Sequence, residues 1–198
     1  MTEEKPEEQF EFTVIAGELK GRKIVSPDLG VTRPPLSRVR KSIFDFLVPY
    51  LPECKYLDLY SGTGAYLFEA VSRGAGEAIG VEMEERLASE ITRHAIKYNV
   101  SDRLKCWHDD VFLAIPKIHN AGVKFDVVMM APPQYKGLVA RTLQMLATKP
   151  VSMPDGIILC QHDTSETKKI NFFEFPILQQ RKYGNTTFTI LKPLVATT

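Results

Sequence analysis

Carboxylates and glycines that could bind a nucleoside occur at the ends of three successive predicted strands. In the stretch LDLYSGTGAYLFEA, Asp58 ends an apolar run, and Gly62 and Gly64 lie in the turn before a helix. Glycines in such a turn let the backbone approach a ligand, and the free amides of a helix N-terminus favour an anionic group. Glu82 ends the next strand, where a carboxylate can accept both hydroxyls of a ribose. Asp110 lies near the end of the third strand, positioned for an adenine amine.

Two classes of cofactor fit this pattern, the dinucleotides and S-adenosylmethionine. A dinucleotide fingerprint needs a third glycine, and the chain has Leu67 at that position. S-adenosylmethionine has no pyrophosphate, so a looser loop suffices and its carboxylate can sit at the helix N-terminus. In the alternative structural interpretation, the glycines only make a tight turn, while Glu82 and Asp110 only cap helices. The occurrence of all these residues at successive strand ends favours the cofactor site.

A second candidate site is the stretch FDVVMMAPPQYKG, a predicted buried strand that stops at two prolines. Strands that end in this way often carry a polar residue just before the prolines to handle a substrate amine, but here that residue is Ala131. The structural alternative is a plain strand end, because a residue before proline avoids helical backbone angles.

Charge is segregated along the chain, although the net charge is only +1. Residues 1–12 carry five Glu and one Lys, which predicts a disordered and solvated tail. Residues 13–41 carry seven basic residues, opposed only by Glu18 and Asp28. Such a region is either an ordinary solvated surface or an arm that contacts phosphates.

The N-terminal region is predicted to form a hairpin and a helix. Residues 10–15 and 22–26 are strand-like runs separated by a glycine-bounded polar segment. Ser37 can cap the helix that follows. Three basic residues are predicted to lie outside its apolar face, namely Arg38, Arg40 and Lys41. The apolar face itself is formed by Val39, Ile43, Phe46 and Leu47.

The rest of the chain alternates between predicted strands and helices. The strands are predicted over residues 56–60, 78–82, 104–108, 125–130 and 156–161. The helices are predicted over residues 65–73, 84–98, 111–119 and 138–147. Alternation of this kind predicts an α/β fold with a mostly parallel sheet covered on both faces. Gly184 and Asn185 predict a closing antiparallel hairpin.

The composition is that of an ordinary soluble protein. The 198 residues, of which 44% are hydrophobic and 25% charged, suffice for one domain with a substantial core. No apolar run reaches the roughly 18 residues of a membrane span, and the polar N-terminus is not typical of a targeting signal, so we expect a cytoplasmic protein. The cysteines and histidines lack metal-ligand spacing, so we expect no metal site.

With these residues the chain resembles the bacterial 16S ribosomal RNA guanine-N2 methyltransferases, which use S-adenosylmethionine. The likeness runs from about Val14 to Pro193, and its most specific parts are AGELKGRKI, TRP followed by RVRKSIFDFL, LDLYSGTGAYLFEAVSRGA and the PP after the fourth strand. It implies a Rossmann-like class I methyltransferase fold with a mostly parallel seven-stranded sheet, an antiparallel C-terminal hairpin and a small N-terminal hairpin and helix. We therefore expect a monomer in which residues 13–52 contact RNA and residues 53–198 bind the cofactor.

The resemblance also implies roles for individual residues. The expected cofactor-binding residues are Asp58, Tyr60, Ser61, Gly62, Thr63, Gly64, Glu82, Met83, Asp110 and Val111. The expected RNA-binding residues are Arg22, Arg33, Arg38 and Arg40. The expected methyl-acceptor site comprises Ala131, Pro132, Pro133, Gln134 and Tyr135. Where this chain has Ala131-Pro132-Pro133-Gln134, the family has Asp-Pro-Pro followed by an aromatic residue. Other departures from the family are Tyr66-Leu67 for Leu-Gly, His94 for Asn, and Ser37-Arg38 for Asp-Arg.

The departure at Ala131 leaves more than one function open. The exocyclic amine of guanine is a poor nucleophile, so methyl transfer benefits from groups that accept its hydrogens. Ala131 offers only its carbonyl, although Gln134 could partly replace the carboxylate and Tyr135 could stack on the base. We expect a methyltransferase of small-subunit ribosomal RNA that acts on guanine N2. The alternatives are a weakened or inactive relative that binds RNA or the ribosomal subunit, and a methyltransferase with a different acceptor.

Overall fold

The computed structural model describes residues 8–30 and 34–194 of the chain. It begins with an antiparallel hairpin of β1 (Gln9–Thr13) and β2 (Lys23–Pro27), followed by helix α1 (Ser37–Leu47). The predicted hairpin and helix are therefore confirmed. One side of the hairpin is turned into the core through the buried residues Phe12, Val14, Leu19 and Ile24.

A seven-stranded sheet in the order β5-β4-β3-β6-β7-β9-β8 forms the centre of the molecule. Its strands are β3 (Lys55–Asp58), β4 (Glu77–Glu82), β5 (Leu104–His108), β6 (Phe125–Met130), β7 (Ser152–Asp163), β8 (Ile177–Tyr183) and β9 (Thr186–Leu191). The connecting helices are α2 (Ala65–Ser72), α3 (Glu85–Lys97), α4 (Val111–Asn120) and α5 (Leu138–Thr148). Strands β3 to β7 are parallel, and β9 runs antiparallel to both of its neighbours. The predicted sheet and its closing hairpin are confirmed.

Each face of the sheet buries its own apolar cluster. The hairpin, α1, α2 and α3 cover one face, here named the hairpin face, around residues such as Phe44, Tyr56 and Phe68. Helices α4 and α5 cover the other face around Leu57 and Leu143. Because successive side chains of a strand point to opposite faces, Asp58 shares the hairpin face with Tyr56.

Three details of the N-terminal region differ from the sequence predictions. Leu36 occupies the N-cap position of α1 in place of Ser37, and no side chain caps the helix. Arg40 is fully buried, because it lies one helical turn from Phe44 and so belongs to the apolar face. The acidic tail is shorter than the expected 12 residues, because β1 begins at Gln9 and pairs with β2. Residues 1–7 lie outside the described part of the chain.

The strand order places a crevice at the carboxyl edge of the sheet. The chain proceeds from β3 outward through β4 to β5 and then returns to β6 on the other side of β3. Ligands of parallel sheets bind where the order reverses in this way, which is here between the loops after β3 and β6. Within residues 8–30 and 34–194, no helix has the length and apolar character to cross a membrane, and no cluster of His, Cys, Asp or Glu could hold a metal ion.

Candidate active site

The loop after β3 is shaped by two glycines with left-handed backbone angles. Gly62 and Gly64 have φ values of 52° and 79°. A Cβ atom on Gly64 would lie 2.8 Å from Cγ1 of Ile91 in α3, so a larger residue does not fit without a shift. Gly64 is also the N-cap of α2, so the amides of the first helical turn lie beside this loop. The loop therefore has the shape that a close backbone approach requires.

Glu82, the last residue of β4, holds the glycine loop in place through a hydrogen bond. Its Oε2 accepts a hydrogen bond from the Gly62 N–H at 2.6 Å, and its Oε1 accepts one from the Glu84 N–H at 2.9 Å. Burial raises the pKa of this carboxyl, and the backbone hydrogen bonds oppose the rise. Each carboxylate oxygen can accept a second hydrogen bond, so Glu82 can fix the loop and still receive hydroxyl groups.

Asp58, at the end of β3, is a fully buried carboxyl with an incomplete set of partners. Its Oδ1 accepts a long hydrogen bond of 3.4 Å from the Tyr60 N–H. Within the described residues its Oδ2 is buried and has no partner. Burial raises the pKa of Asp58 to about 7, and the nearby Glu82 carboxyl adds to the rise. An unsatisfied buried carboxylate costs free energy, so this position favours a bound cation.

The other expected cofactor-binding residues lie around the same edge. Asp110 is the N-cap of α4, and its Oδ1 accepts the Phe112 N–H at 2.7 Å, so its predicted capping role is present. The Tyr60 hydroxyl bonds Thr142 in α5 at 2.7 Å. Met83 is 64% exposed next to Glu82. Buried positions complete the set, namely Ser61, Thr63 and Val111.

The second predicted site forms the loop that follows β6. Ala131 is partly buried against the cluster of the hairpin face, while Pro133 and Gln134 are exposed. A pocket of about 110 Å³ lies beside this loop and is also lined by Gln161 of β7. The backbone turns sharply after the prolines, since Tyr135 has a φ of 61°.

Tyr135 is held at the outer side of this pocket. This residue is 68% exposed. Its N–H donates to a carboxylate oxygen of Glu166 at 3.2 Å. A hydrogen bond to the Asp163 carboxylate raises the pKa of its hydroxyl. The ring is thus accessible, as a stacking residue would have to be.

Sequence patterns do not mark two further polar residues as candidates, namely Gln161, which lines the pocket, and Tyr66, which hydrogen-bonds Gln161. The Tyr66 hydroxyl donates to Oε1 of Gln161 at 2.5 Å. In the sequence, Tyr66 stands out only as a departure from the family motif, and Gln161 only as the last residue of a predicted strand. The position of Gln161 on the strand adjacent to Ala131 is a usable signal, but only when the order of the strands is known.

The expected RNA-binding arginines fall into different environments. Arg22 and Arg38 are exposed, and the Arg22 guanidinium lies 5.5 Å from the ring centroid of Tyr98. Arg33 lies outside the described residues. The expectation for Arg40 is wrong, because its side chain is fully buried and its Nε lies 3.1 Å from a carboxylate oxygen of Glu69.

Further departures from the family motifs are accommodated by local packing. Nε2 of His94 accepts the Val25 N–H at 3.1 Å, so this buried ring joins α3 to the hairpin, and burial lowers its pKa. Leu67 is fully buried against β4. It fits because Gly80 has no side chain: a Cβ atom there would lie 2.5 Å from Cδ1 of Leu67.

Comparison with solved structures identifies the architecture. The putative methyltransferase yhhF from Escherichia coli superposes with a TM-score of 0.80 over 93% of this chain and 98% of its own, at 21% identity. The 16S rRNA N2 G1207 methyltransferase RsmC of T. thermophilus, in complex with AdoMet and guanosine, superposes with a TM-score of 0.68 over 94% of this chain and 50% of its own, at 16% identity. These likenesses show the fold, which is the expected Rossmann-like class I methyltransferase fold.

Comparison of sequences identifies the family. The ribosomal RNA small subunit methyltransferase D of Escherichia coli strain K12 is 29% identical over 137 residues, which are 69% of this chain and 67% of the relative. The family described as Conserved hypothetical protein 95 matches residues 12–192. The chain therefore belongs to this family, to which the ribosomal RNA small subunit methyltransferases D are also related.

Proposed function

We propose that this protein is an S-adenosylmethionine-dependent methyltransferase that methylates the exocyclic N2 of a guanine in 16S ribosomal RNA. One observation carries the proposal: the buried, unsatisfied carboxyl of Asp58 and the Pro132-Pro133 turn lie at the same edge of the sheet, on the adjacent strands β3 and β6. A cofactor bound beside Asp58 would place its methyl group next to a substrate bound at the Pro132-Pro133 turn. The family and its named relatives support the same activity.

The residues present fit the cofactor. Oδ2 of Asp58 can receive the ammonium of its methionine part, and the N-terminus of α2 suits its carboxylate. Glu82 can accept the ribose hydroxyls, and the Asp110 carboxylate can accept the adenine amine. When bound, S-adenosylmethionine supplies an electrophilic methyl group on a sulfonium. The chain itself binds, orients and screens that group from water.

At the loop after β6, the protein aligns the guanine amine with the methyl group of the cofactor. The methyl group then passes directly from the cofactor to the amine. The Ala131 carbonyl, held beside the rigid proline pair, accepts one amine hydrogen, and Tyr135 stacks on the base. The exposed Arg22 and Arg38 bind phosphates of the RNA or of the small ribosomal subunit. We propose a cytoplasmic monomer that uses no metal.

A transfer assay tests this function. Small ribosomal subunits from a strain without the corresponding methyltransferase, and naked 16S RNA, are incubated with the protein and labelled S-adenosylmethionine. We expect label in at least one of the two substrates and N2-methylguanosine in its digest by mass spectrometry. Label in another nucleoside would indicate a changed acceptor. If neither substrate is labelled but the protein still binds the subunit, the chain is a binder and the proposal fails.

A further inference from the structure

Ala131, which stands where the family has an aspartate, has a polar neighbour on the next strand, β7. The β6–β7 ladder pairs Met130 with Cys160, so Ala131 and Gln161 follow at equivalent positions. Residues at equivalent positions of paired parallel strands point to the same face and lie roughly 5 Å apart. Gln161 is therefore close to the place where a side chain at position 131 would end.

The cross-strand partner of Gln161 confirms which face it occupies. Gln161 pairs with Phe188 of β9. Phe188 belongs to the cluster of the hairpin face, and Ala131 packs against the same cluster. The pocket of about 110 Å³ at this place is lined by Gln161 together with Pro132 and Pro133. Gln161 therefore lies at the strand end, and on the face of the sheet, where a side chain at position 131 would meet the proposed substrate amine.

Tyr66 fixes the orientation of this amide. Its hydroxyl donates to Oε1 of Gln161 at 2.5 Å, across 95 residues of sequence. The Tyr66 ring is 5% exposed and lies between Phe44 and Phe188, with centroid distances of 6.0 Å and 6.4 Å. An amide oxygen accepts two hydrogen bonds, so one remains for a substrate after Tyr66 has used the other.

We infer that Gln161, oriented by Tyr66, accepts a hydrogen of the substrate amine in place of the carboxylate that is absent at Ala131. The inference rests on the proposed function and deepens it. Gln161 is then a catalytic residue, and Tyr66 a positioning residue. Since a neutral acceptor stabilises the developing positive charge less than a carboxylate does, transfer is slower than an aspartate at position 131 would allow.

Two other polar residues near the loop are less well placed for this role. Gln134, which the sequence suggested as a replacement, is exposed beyond the proline pair. Glu166 already accepts the N–H of Tyr135 at 3.2 Å, which fixes the outer part of the loop. Gln161 alone among the three is the strand neighbour of Ala131.

A double-mutant cycle on turnover tests the inference. We expect Gln161→Leu to lower kcat about tenfold, with little change in the KM for S-adenosylmethionine, because one hydrogen bond of the transition state is lost. Ala131→Asp should raise kcat in the wild-type background, and in its presence Gln161→Leu should cost less than about threefold. A purely structural role of Gln161 predicts equal losses in both backgrounds, which would overturn the inference. Gln179→Leu, on the exposed strand β8 of the same sheet, is the matched control.

A binding experiment separates this inference from the proposed function. Guanosine and inosine, which lacks the exocyclic amine, are titrated into the protein saturated with S-adenosylhomocysteine. We expect wild type to prefer guanosine, and Gln161→Leu and Tyr66→Phe to lose most of that preference while binding inosine unchanged. If wild type makes no discrimination, or the variants keep it, the inference fails. If discrimination depends on Gln161 but no RNA is methylated, Gln161 does accept the guanine amine, and it is the proposed function that fails.

Discussion

At the scale of the residue, Asp58 is a buried carboxyl that a bound cation would stabilise. Its carboxyl is buried without a partner for Oδ2, and burial raises its pKa to about 7. A bound ammonium group would supply the missing charge and stabilise the ionised form. Protonation of Asp58 and cofactor binding are then competing events.

We therefore predict a pH-dependent affinity for S-adenosylmethionine. Well above pH 7 Asp58 is ionised, whereas below pH 7 the carboxyl must first lose a proton. The dissociation constant should rise by up to about tenfold for each pH unit below 7. Isothermal titration between pH 5.5 and 8.5, in buffers with different ionisation enthalpies, measures both the affinity and the released proton.

Two variants control the prediction. Asp58→Asn should bind more weakly and lose the dependence on pH. Asp102→Asn, an exposed carboxyl in the turn before β5, should keep the wild-type profile. An unchanged profile in Asp58→Asn would show that a different group titrates.

At the scale of the element, a buried ion pair joins the N-terminal region to α2, the helix that follows the glycine loop. Arg40 of α1 contacts Glu69 of α2 and donates from Nη2 to the Thr13 carbonyl at 2.6 Å. Glu69 also accepts the Ile15 N–H at 2.7 Å. The pair thus connects the hairpin, α1 and α2, so its removal should affect folding more than RNA binding.

We predict that Arg40→Ala lowers the free energy of unfolding by up to about 3–5 kcal/mol, because it removes one of the two arginines that pair with the buried Glu69 carboxylate, the other being Arg73. Urea denaturation followed by circular dichroism measures the change. Lys41→Ala is the matched control, since the exposed Lys41–Asp45 pair on the same helix should contribute under about 1 kcal/mol. A loss of RNA affinity at unchanged stability would instead restore the RNA-contacting role.

The glycine loop allows a second test at this scale. Gly64→Ala introduces both a strained backbone angle and a contact with Ile91. Gly184→Ala introduces a comparable strain, at a φ of 62°, but meets no atom within 4 Å. Each strain costs about 1–2 kcal/mol. We predict that only Gly64→Ala also lowers the affinity for S-adenosylmethionine, measured by isothermal titration at a temperature where both variants are folded. Equal affinities would show that the loop tolerates a side chain.

At the scale of the whole molecule, the basic N-terminal region is less free than its charge suggests. Arg40 is buried, and Lys23 and Lys41 form ion pairs with Glu11 and Asp45. Exposed arginines remain at Arg22, in the turn of the hairpin, and at Arg38, on α1. If this region binds RNA, fewer basic side chains are free to contact phosphates than the sequence of the region contains.

We predict that Arg22→Ala and Arg38→Ala each weaken RNA binding and reduce the slope of log affinity against log salt concentration by about 0.7–0.9. Filter binding to 16S RNA at several salt concentrations measures this slope. Lys55→Ala removes an exposed charge at the start of β3, on the edge opposite the site, and should leave the slope unchanged. If all three variants behave alike, the RNA does not contact the N-terminal region specifically.

Much of the fold was readable from local patterns in the chain. The bounds of β5 and β6 match the predicted ranges, and Gly184 and Asn185 form the turn between β8 and β9. These features depend on the period of apolar residues and on turn chemistry, which act between neighbours in sequence. The glycine loop, Asp58 and Glu82 lie at one edge of the sheet, as expected, because strand ends in a parallel sheet converge.

Only the tertiary structure decided which polar groups are buried and which meet. Arg40 lies beside other basic residues in sequence, but its guanidinium is buried against Glu69 of another helix. Gln161 and Tyr66 are 95 residues apart, and their contact next to Ala131 depends on the order of the strands. The sequence by itself determined the fold, the sheet edge at which we propose the cofactor site, and the absence of a carboxylate at Ala131. The packing of distant elements decided which side chains lie beside Ala131, because desolvation and hydrogen-bond partners are properties of the folded interior.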